Sequence, residues 1–439
     1  MRARREGSTS QPERLAAYLD HLTQAAGHAD RVVPMQRYTK GLFLPIERKS
    51  VEPMAARLAP ANVRQMHQSL HHLVAEAAWS DKALLGEVRR QVLPAMTRQH
   101  PLAAWIVDDT GFPKKGTHSV GVTRQYCGQV GKQENCRIAV SVSVATEQAS
   151  LPVAYGLYLP EIWAQDPVRR NKVGVPKEIR FQTKPEIALE QIRLLVEEDV
   201  PRAPVLADAA YGNDNGFRDG LQQLRLEYAV GVQSSTSIWP PGCAPLPSKA
   251  RGVMGRPPKL LRRDEGHQPL SVKELTLCLS PSDLRRVSWR EGTRGTMHSR
   301  FAALRVRVAH RDYERSQPRE DQWLLIEWPE TEKEPTKYWL SNLPASISLR
   351  KLIATAKLRW RIERDYEELK QELGLGHFEG RNWRGFHHHA SLCIAAYGFL
   401  VVERCLFSPA LDSPPLRAAD LQLRLPRLPH GAKPRGAAG

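Results

Sequence analysis

The sequence has few cysteines, and their spacing argues against two kinds of structural cross-link. Six cysteines are scattered over 439 residues, and none forms a CxxC pair. We therefore expect no structural zinc site, which is built from such pairs. Disulfide frameworks are typical of small secreted domains, whereas a chain of this length can bury a core without them. The cysteines indicate a reducing compartment, and we expect a cytoplasmic, nucleoid-associated protein.

Long apolar runs are also absent. No segment approaches the roughly 18 uninterrupted apolar residues that predict a membrane-spanning helix. Residues 1–11 are polar and arginine-rich, without the apolar core of a signal peptide. We therefore expect neither a secretory signal nor a membrane partner.

Acidic residues are too few to balance the basic ones. Lysine and arginine number 64 and aspartate and glutamate 47, which gives a net charge of +17 with neutral histidine. Such an excess favours a polyanionic partner, most often nucleic acid. The alternative is a basic enzyme whose arginine content reflects a GC-rich genome.

Apolar periodicity predicts an N-terminal helical domain over residues 1–100. Three stripes of apolar residues recur at helical spacing, over residues 15–22, 58–77 and 84–96. Short helices in series are compatible with helix-turn-helix elements that bind DNA. They are equally compatible with plain packing of helices.

Residues 101–232 have the pattern of an α/β domain. Apolar strands are predicted at residues 103–107, 138–144 and 153–159, followed by a helix at 185–198 and a strand at 205–208. This order predicts an RNase H-like mixed sheet flanked by helices. Acids at the ends of neighbouring strands converge at one edge of such a sheet.

The remaining chain is predicted to contain an insertion, the second part of the same core and a tail. Residues 233–345 are predicted as a β-rich insertion, with strands at 271–279, 285–289, 301–309, 322–327 and 337–340. Residues 346–407 return to the core, with helices at 351–373 and 390–405. Residues 408–439 are rich in proline, arginine and glycine, and we predict that they are disordered.

One face of the helix predicted at 351–373 has an unusual composition. At helical spacing, Arg359, Glu363, Tyr366 and Lys370 fall within about 60° of arc. A carboxylate flanked by two cations and a phenol is costly to bury. The stripe is well suited to gripping a phosphate beside a metal-binding acid.

Three acidic positions are candidates for metal ligands. Asp108 and Asp208 each follow an apolar strand, and Glu363 lies on the predicted helix. Carboxylate oxygens are the ligands of the hard cations that activate phosphodiester chemistry. Asp109 is the alternative to Asp108, because adjacent strand residues face opposite ways; we favour Asp108, which lies in an Asp-x-Thr arrangement. The plainer alternative is that such aspartates cap helices or turns.

Basic residues outside this helix are candidates for DNA contacts. Lys114 and Lys115 lie in a Gly- and Pro-containing turn just after the first acids, which suits phosphate binding. Arg256 and Lys259 lie in an Arg-Pro segment that is similar to a minor-groove arm. Solvated turns and linkers have the same composition. Consecutive His387, His388 and His389 point about 100° apart on a helix, so a phosphate or backbone role near Arg381 is favoured over zinc.

Several motifs together resemble the bacterial insertion-sequence transposases of the DDE superfamily, of the type called DDE superfamily endonuclease. The motifs are residues 107–116, 118–122, 124–126, 131–135, 207–212, 359–370 and 374–381. The spacing of Arg359, Glu363 and Lys370 is similar to the Y-x₂-R-x₃-E-x₆-K signature of related transposases. Ala356 stands where that signature has tyrosine.

The resemblance implies an RNase H-like catalytic domain in which two aspartates and a glutamate bind two Mg²⁺ ions, with Mn²⁺ as a substitute. The glutamate falls on Glu363, the second aspartate on Asp208 and the first on Asp108 or Asp109. Such enzymes bind terminal inverted repeats in double-stranded DNA, nick it and join 3′-hydroxyl ends to a target. They act as dimers or larger synaptic assemblies, and Arg359 and Lys370 would hold DNA phosphates near Glu363.

Three other functions remain as alternatives. A transposase-derived protein would bind DNA as a repressor or architectural factor without cutting it. A different RNase H-like nuclease would choose its substrate by structure rather than by end sequence. A glycosidase with paired carboxylates would leave the basic helix face and the net charge without a role.

Overall fold

The computed structural model describes residues 10–249, 259–292, 295–407 and 417–421 of the chain. They form two compact units, each assembled from separate stretches of sequence. The first unit comprises the described residues of Met1–Leu102, Asp109–Thr183 and Arg361–Gly439. The second comprises those of Ala103–Asp108 and Lys184–Trp360.

The helices include short connecting turns and one long apolar segment. They are α1 (Gln11–Leu22), α2 (Val32–Leu42), α3 (Val51–Leu58), α4 (Val63–Ala75), α5 (Asp81–Met96), α6 (Glu161–Ala164), α7 (Pro167–Lys172), α8 (Lys184–Glu197), α9 (Ala209–Gly212), α10 (Asn215–Gln223), α11 (Val272–Leu277), α12 (Leu349–Lys357), α13 (Arg361–Gln371) and α14 (Trp383–Phe407). Side chains that precede helices start several of them: Ser80 accepts the amide of Ala83, and Ser348 accepts that of Lys351.

The strands belong to one mixed sheet with short additions. They are β1 (Ala104–Pro113), β2 (Thr123–Cys127), β3 (Lys132–Ala145), β4 (Ser150–Leu157), β5 (Val205–Ala207), β6 (Tyr228–Val232), β7 (Ser237–Trp239), β8 (Leu270–Ser271), β9 (Arg285–Gly292), β10 (Gly295–Val308), β11 (Gln322–Glu327) and β12 (Lys337–Ser341). The large mixed sheet flanked by helices is the predicted α/β fold class and is consistent with an RNase H-like fold.

In the first unit, β3 is the strand around which the others are arranged. It pairs antiparallel with both β2 and β4, and it is hydrogen-bonded to β1. The apolar residues of β3 and β4 are buried, which explains their near-continuous apolar sequences. The sequence predicts these strands correctly, although each is longer or shifted by a few residues.

The core of the first unit is the helix α14, which contacts α1, α2, α4, α5 and β4. Its buried residues occur on all sides rather than along one stripe, as expected for a central helix. By length and composition alone this helix could cross a membrane, which the apolar-run criterion did not anticipate. Most of its apolar window (72%) is buried inside the first unit, as in a core helix.

In the second unit, parallel and antiparallel strands share one sheet. β1, β5 and β6 are parallel neighbours, and β12, β11 and β10 continue from β6 in antiparallel order. Ile238, Val306, Leu324, Ile326 and Leu340 form a buried cluster under the antiparallel strands. The segment predicted as a β-rich insertion therefore extends the sheet that contains the parallel strands.

Three sequence predictions differ from the structure. Strand β1 does not end at Asp108 and Asp109 but continues to Pro113. Residues predicted as a strand at 271–279 form helix α11, because Ser271 and Glu274 make a capping box. The helix predicted at 351–373 is broken by a 3₁₀ turn at Leu358–Trp360.

The predicted disordered tail lies largely outside the described residues, apart from a short 3₁₀ turn at Ala418–Asp420. The predicted domain boundaries stay a prediction. The two compact units are divided at other residues than the predicted domains, because the helices before residue 102 pack against α14 within the first unit.

Candidate metal and nucleic-acid site

Asp108, on β1, and Asp208, which directly follows the neighbouring parallel strand β5, lie at corresponding places in the second unit. Trp105 pairs with Val205 and Ile106 with Leu206, so each aspartate lies two residues beyond the last paired position. Strand β1 continues past Asp108, whereas Asp208 begins α9. Asp109 follows Asp108 on β1 and therefore points to the opposite face of that strand.

Asp208 is held by the backbone at the start of α9. Its Oδ1 accepts the amide of Ala210 at 2.9 Å, and the side chain is half-buried. The strand β6 lies so close that a Cβ added at Gly231 would be 2.9 Å from the nitrogen of Ala209. A side chain at Gly231 would therefore displace the backbone that positions Asp208.

Asp108 is paired with Arg359. Nη1 of the arginine lies 3.0 Å from Oδ2 of the aspartate, and the side chains are 33% and 24% exposed. Arg359 occupies the 3₁₀ turn that follows α12, so the break in the helix presents this side chain. The arginine thus neutralises one of the two carboxylates and fixes its orientation.

The end of α12 is anchored two residues earlier. Nζ of Lys357 lies 2.7 Å from Oε1 and 2.6 Å from Oε2 of Glu327, on strand β11. The ammonium also lies 4.3 Å from the centre of the Trp289 ring. Burial lowers the pKa of Lys357, and the neighbouring Glu327 opposes this shift. This anchored pair holds the turn that carries Arg359.

The chemistry of the two aspartates fits a hard divalent cation. Carboxylate oxygens are the ligands that Mg²⁺ prefers, and Asp208 uses one of its two oxygens, Oδ1, in the hydrogen bond to Ala210. Within the described part of the chain, no group of three or more His, Cys, Asp or Glu residues is gathered as a metal site. The second unit thus offers two carboxylates, Asp108 and Asp208, for this role.

In the first unit, some acidic residues of α13 are exposed to solvent and others are buried in the core. Glu363 is exposed, while Asp365 is buried and accepts hydrogen bonds from Ser150 at 2.7 Å and Tyr397 at 2.9 Å. Burial raises the pKa of Asp365 to about 6, against the lowering effect of those two hydroxyl groups. Glu363, the acid that sequence analysis selects, and Glu367 are both exposed on this helix.

Tyr366 differs from its predicted role as a DNA contact. Its side chain is only 9% exposed, and its hydroxyl group hydrogen-bonds the hydroxyl group of Ser141 on β3. Tyr366 and Arg359 also do not lie on one continuous helix, because Arg359 belongs to the 3₁₀ turn at Leu358–Trp360. Tyr366 is therefore a core residue and is not among the DNA contacts proposed below.

The other predicted DNA contacts have different environments. Nζ of Lys370 donates to the Gly111 carbonyl at 3.2 Å, and Nζ of Lys114 donates to the Phe378 carbonyl at 2.9 Å. Lys115, Lys259 and Arg381 are exposed. Arg256 lies outside the described residues.

The three consecutive histidines are all buried in α14 and bond mainly to backbone. His387 accepts the amide of Leu157 through Nε2, and His388 lies against the carbonyl groups of Val74 and Trp79. His389 Nδ1 faces the hydroxyl group of Tyr38 at 2.9 Å, and its Nε2 faces the Gly374 carbonyl at 2.9 Å. These contacts agree with the predicted backbone role rather than with a zinc site.

Sequence reasoning missed two contacts of the first unit between residues that are far apart in the sequence. Arg137 donates to the carbonyl of Phe378 that also accepts from Lys114, and the amide of Lys49 donates to Nδ1 of His377. One signal was available: Arg137 is a charged residue at the start of the apolar segment of β3. No sequence pattern predicts that Arg137 lies in the same unit as Lys49 and His377.

Comparisons with known proteins agree with these features. A family described as DDE superfamily endonuclease matches residues 18–296, a range that includes Asp108 and Asp208. The chain is 30% identical over 196 residues to a protein of Microchaete diplosiphon called "Probable transposase for insertion sequence element IS701". That alignment covers 44% of this chain and 47% of the relative, so the chain spans about half the length of the relative it matches.

Proposed function

The chain belongs to the DDE superfamily endonucleases, and on this basis we propose that it is a transposase that cleaves and joins DNA at the ends of an insertion sequence. The observation that carries the proposal is that Asp108 on β1 and Asp208 just after β5 each lie two residues beyond the last paired position of these adjacent parallel strands. Two carboxylates so placed would suit metal-assisted phosphodiester chemistry. The related sequence called a probable transposase supports the same activity.

We propose that Asp108, Asp208 and Glu363 hold divalent cations, with two Mg²⁺ ions as the physiological pair and Mn²⁺ as a substitute. Members of this superfamily generally use divalent metal ions. Asp108 is preferred to Asp109 because Asp108, like Asp208, lies two residues beyond the last paired position of β1 and β5. The assignment of Glu363 rests on the signature spacing of Arg359, Glu363 and Lys370.

The bound cations would activate an oxygen nucleophile and stabilise the leaving oxygen of the phosphodiester. The chain's own residues prepare the site. The amide of Ala210 orients Asp208, and Arg359 orients Asp108 while its planar guanidinium suits a phosphate oxygen. Lys370, Lys114, Lys115 and Arg381 supply further positive charge for the DNA backbone, with Arg256 and Lys259 as candidates for a groove-binding segment.

We propose that the partner is double-stranded DNA, both at the inverted repeats of the element and at the target. The net charge of +17 favours this polyanion and predicts a strong dependence of binding on salt. Cleavage of two ends in one event requires two active sites, so we propose a homodimer or a larger synaptic assembly. The protein would act in the cytoplasm on nucleoid DNA.

The proposal is tested by separating DNA binding from cleavage. Asp208→Asn keeps the size of the side chain and removes its charge, so strand nicking should be lost while the duplex is still bound. Asp283→Asn is the matched control, because Asp283 lies in an exposed 3₁₀ turn elsewhere in the second unit. Undiminished metal-dependent nicking by Asp208→Asn would contradict the assignment.

A further inference from the structure

Two cations of the first unit converge on one neutral oxygen atom. Nζ of Lys114 lies 2.9 Å from the carbonyl oxygen of Phe378, and Nη2 of Arg137 lies 3.4 Å from the same atom. Arg137 is 1% exposed, whereas Lys114 is half-buried at the turn after β1. A single carbonyl group cannot neutralise two positive charges, so this arrangement retains a strong positive potential.

Arg137 has hydrogen-bond donors that no neighbour uses. Its Nε and Nη1 are buried and have no hydrogen-bond partner among the described residues. The hydroxyl group of Tyr155 is also buried and has no hydrogen-bond partner among the described residues. Buried polar groups are normally satisfied, and a buried donor without an acceptor destabilises the folded state. These donors lack an acceptor that an oxyanion would supply.

Another buried lysine lies in the same unit. Lys49 is 4% exposed, and its amide donates to Nδ1 of His377 at 3.0 Å. Burial lowers the pKa of Lys49 to about 8, and burial together with the charge of Arg137 lowers the pKa of Lys114 to about 8. The acid that acts on Lys114 is Glu379, which is exposed and already paired with Arg48.

The turn that presents Lys114 is fixed by a neighbouring strand. Nδ2 of Asn135 donates to the carbonyl of Lys114 at 2.6 Å and to that of Gly116 at 2.8 Å. The loop on the other side is fixed too, since His389 Nε2 lies 2.9 Å from the carbonyl of Gly374. A cationic site built on fixed backbone loses little entropy when it binds a ligand.

We propose that Lys114 and Arg137 form a binding site for a phosphate-class oxyanion. Lys114 is the contact at the rim, and Arg137 lies behind it with its free donors. The anion has two possible sources, a phosphodiester of the DNA backbone or free phosphate. The DNA source rests on the proposed function; the site itself does not, because it requires neither cleavage nor the carboxylates of the second unit.

The test is thermal unfolding of the full chain with inorganic phosphate, compared with chloride at equal ionic strength. A ligand that binds only the folded state raises the midpoint in a saturable way. Wild type should show this rise, and Lys114→Gln should bind phosphate about tenfold more weakly or worse. Arg137→Met should behave in the same way. Lys172→Gln is the matched control, because Lys172 is exposed on α7 and should leave the rise unchanged.

A second arm identifies the source of the anion. If short duplex DNA removes the phosphate effect in wild type, the site takes a backbone phosphate; if phosphate binds undisturbed by DNA, the site takes a free oxyanion. An equal rise in wild type and Lys114→Gln, or a rise that does not saturate, would overturn the proposal. Because Lys114→Gln changes one lysine, it remains decisive even if Arg137→Met does not fold. Loss of cleavage in variants of Asp208 is measured separately and is unaffected by this result.

Discussion

Arg359 and Asp108 form an ion pair within the second unit, with Nη1 of the arginine 3.0 Å from Oδ2 of the aspartate. They are 251 residues apart in the sequence, and Arg359 lies in a 3₁₀ turn. Asp108 is a proposed metal ligand, and the spacing of Arg359, Glu363 and Lys370 resembles the signature of related transposases. The pair therefore joins the two motifs on which the proposed function depends.

Replacing Arg359 should impair cleavage far more than stability. Both side chains are partly exposed, so solvent screens the pair and its contribution to folding is small. Arg359→Ala should slow strand cleavage on the order of a hundredfold, because an oriented donor beside the reacting phosphate is lost. Arg359→Lys should recover only part of the rate, since lysine lacks the planar fork. The measurement is the cleavage rate at saturating DNA.

Arg350→Ala provides the control for this experiment, because Arg350 is exposed on the preceding helix α12. It should retain the wild-type rate. A wild-type rate in Arg359→Ala would exclude Arg359 from the site.

Asp208 should have two separable roles: it caps helix α9, and its negative charge binds the metal ion. Its Oδ1 accepts the amide of Ala210, and asparagine can accept the same hydrogen bond. Asp208→Asn should therefore unfold like wild type, while Asp208→Ala should lose about 1 kcal/mol of unfolding free energy. Both should lose metal binding, measured by calorimetric titration of Mn²⁺. Equal stability of the two variants would show that the cap contributes nothing.

The fold is predictable from the sequence where apolar runs are long. Burial of both sheet faces demands apolar residues, and this pattern predicts strands β3, β11 and β12. The same pattern predicts β5 and thereby the acid that follows it. The break at Leu358–Trp360 is not, since the segment contains neither glycine nor proline and its helical periodicity continues. Tertiary contacts of the flanking residues override that local preference.

The error at residues 271–279 had a visible signal. Ser271 and Glu274 have the spacing of a capping box, which marks a helix start. The convergence of Lys114 and Arg137 on Phe378 has no such signal, because residues distant in sequence meet only after folding.

Asp365→Asn should stabilise the protein at neutral pH but not in acid. Burial raises the folded-state pKa of Asp365 to about 6, above the ordinary value of 3.8, so ionisation of this acid opposes folding. The cost is absent below the unfolded pKa and grows as pH rises to the folded pKa. The variant should gain up to about 3 kcal/mol of unfolding free energy at pH 8. Denaturant unfolding of both proteins at pH 4 and pH 8 measures this gain.

The matched comparison is Asp20→Asn, which removes an exposed carboxylate of α1 and should show no such pH dependence. A gain for Asp365→Asn that is equal at both pH values would indicate a packing effect instead.

His389 should make the first unit sensitive to acid. Burial lowers the pKa of His389 to about 4, so the folded state keeps the ring neutral while the unfolded chain binds a proton near its ordinary pKa. The stability that this neutral ring contributes is present above about pH 6.5 and is lost as pH falls towards 4. His389→Gln should flatten the pH dependence of unfolding over this window, whereas the exposed His71→Gln should not.

An unchanged slope in His389→Gln would mean that the acid sensitivity has another origin, such as the neighbouring His388. Its pKa is lowered to about 4 by burial as well.

The most direct test of the central claim is a cleavage assay on the DNA that flanks the protein's own gene. A plasmid with this DNA is incubated with the protein, with and without Mg²⁺, beside the variant Glu363→Ala. The account predicts metal-dependent cuts at fixed flanking positions that disappear in the variant, with DNA binding retained. Tight binding without any cut in either Mg²⁺ or Mn²⁺, or cuts that persist in Glu363→Ala, would contradict it.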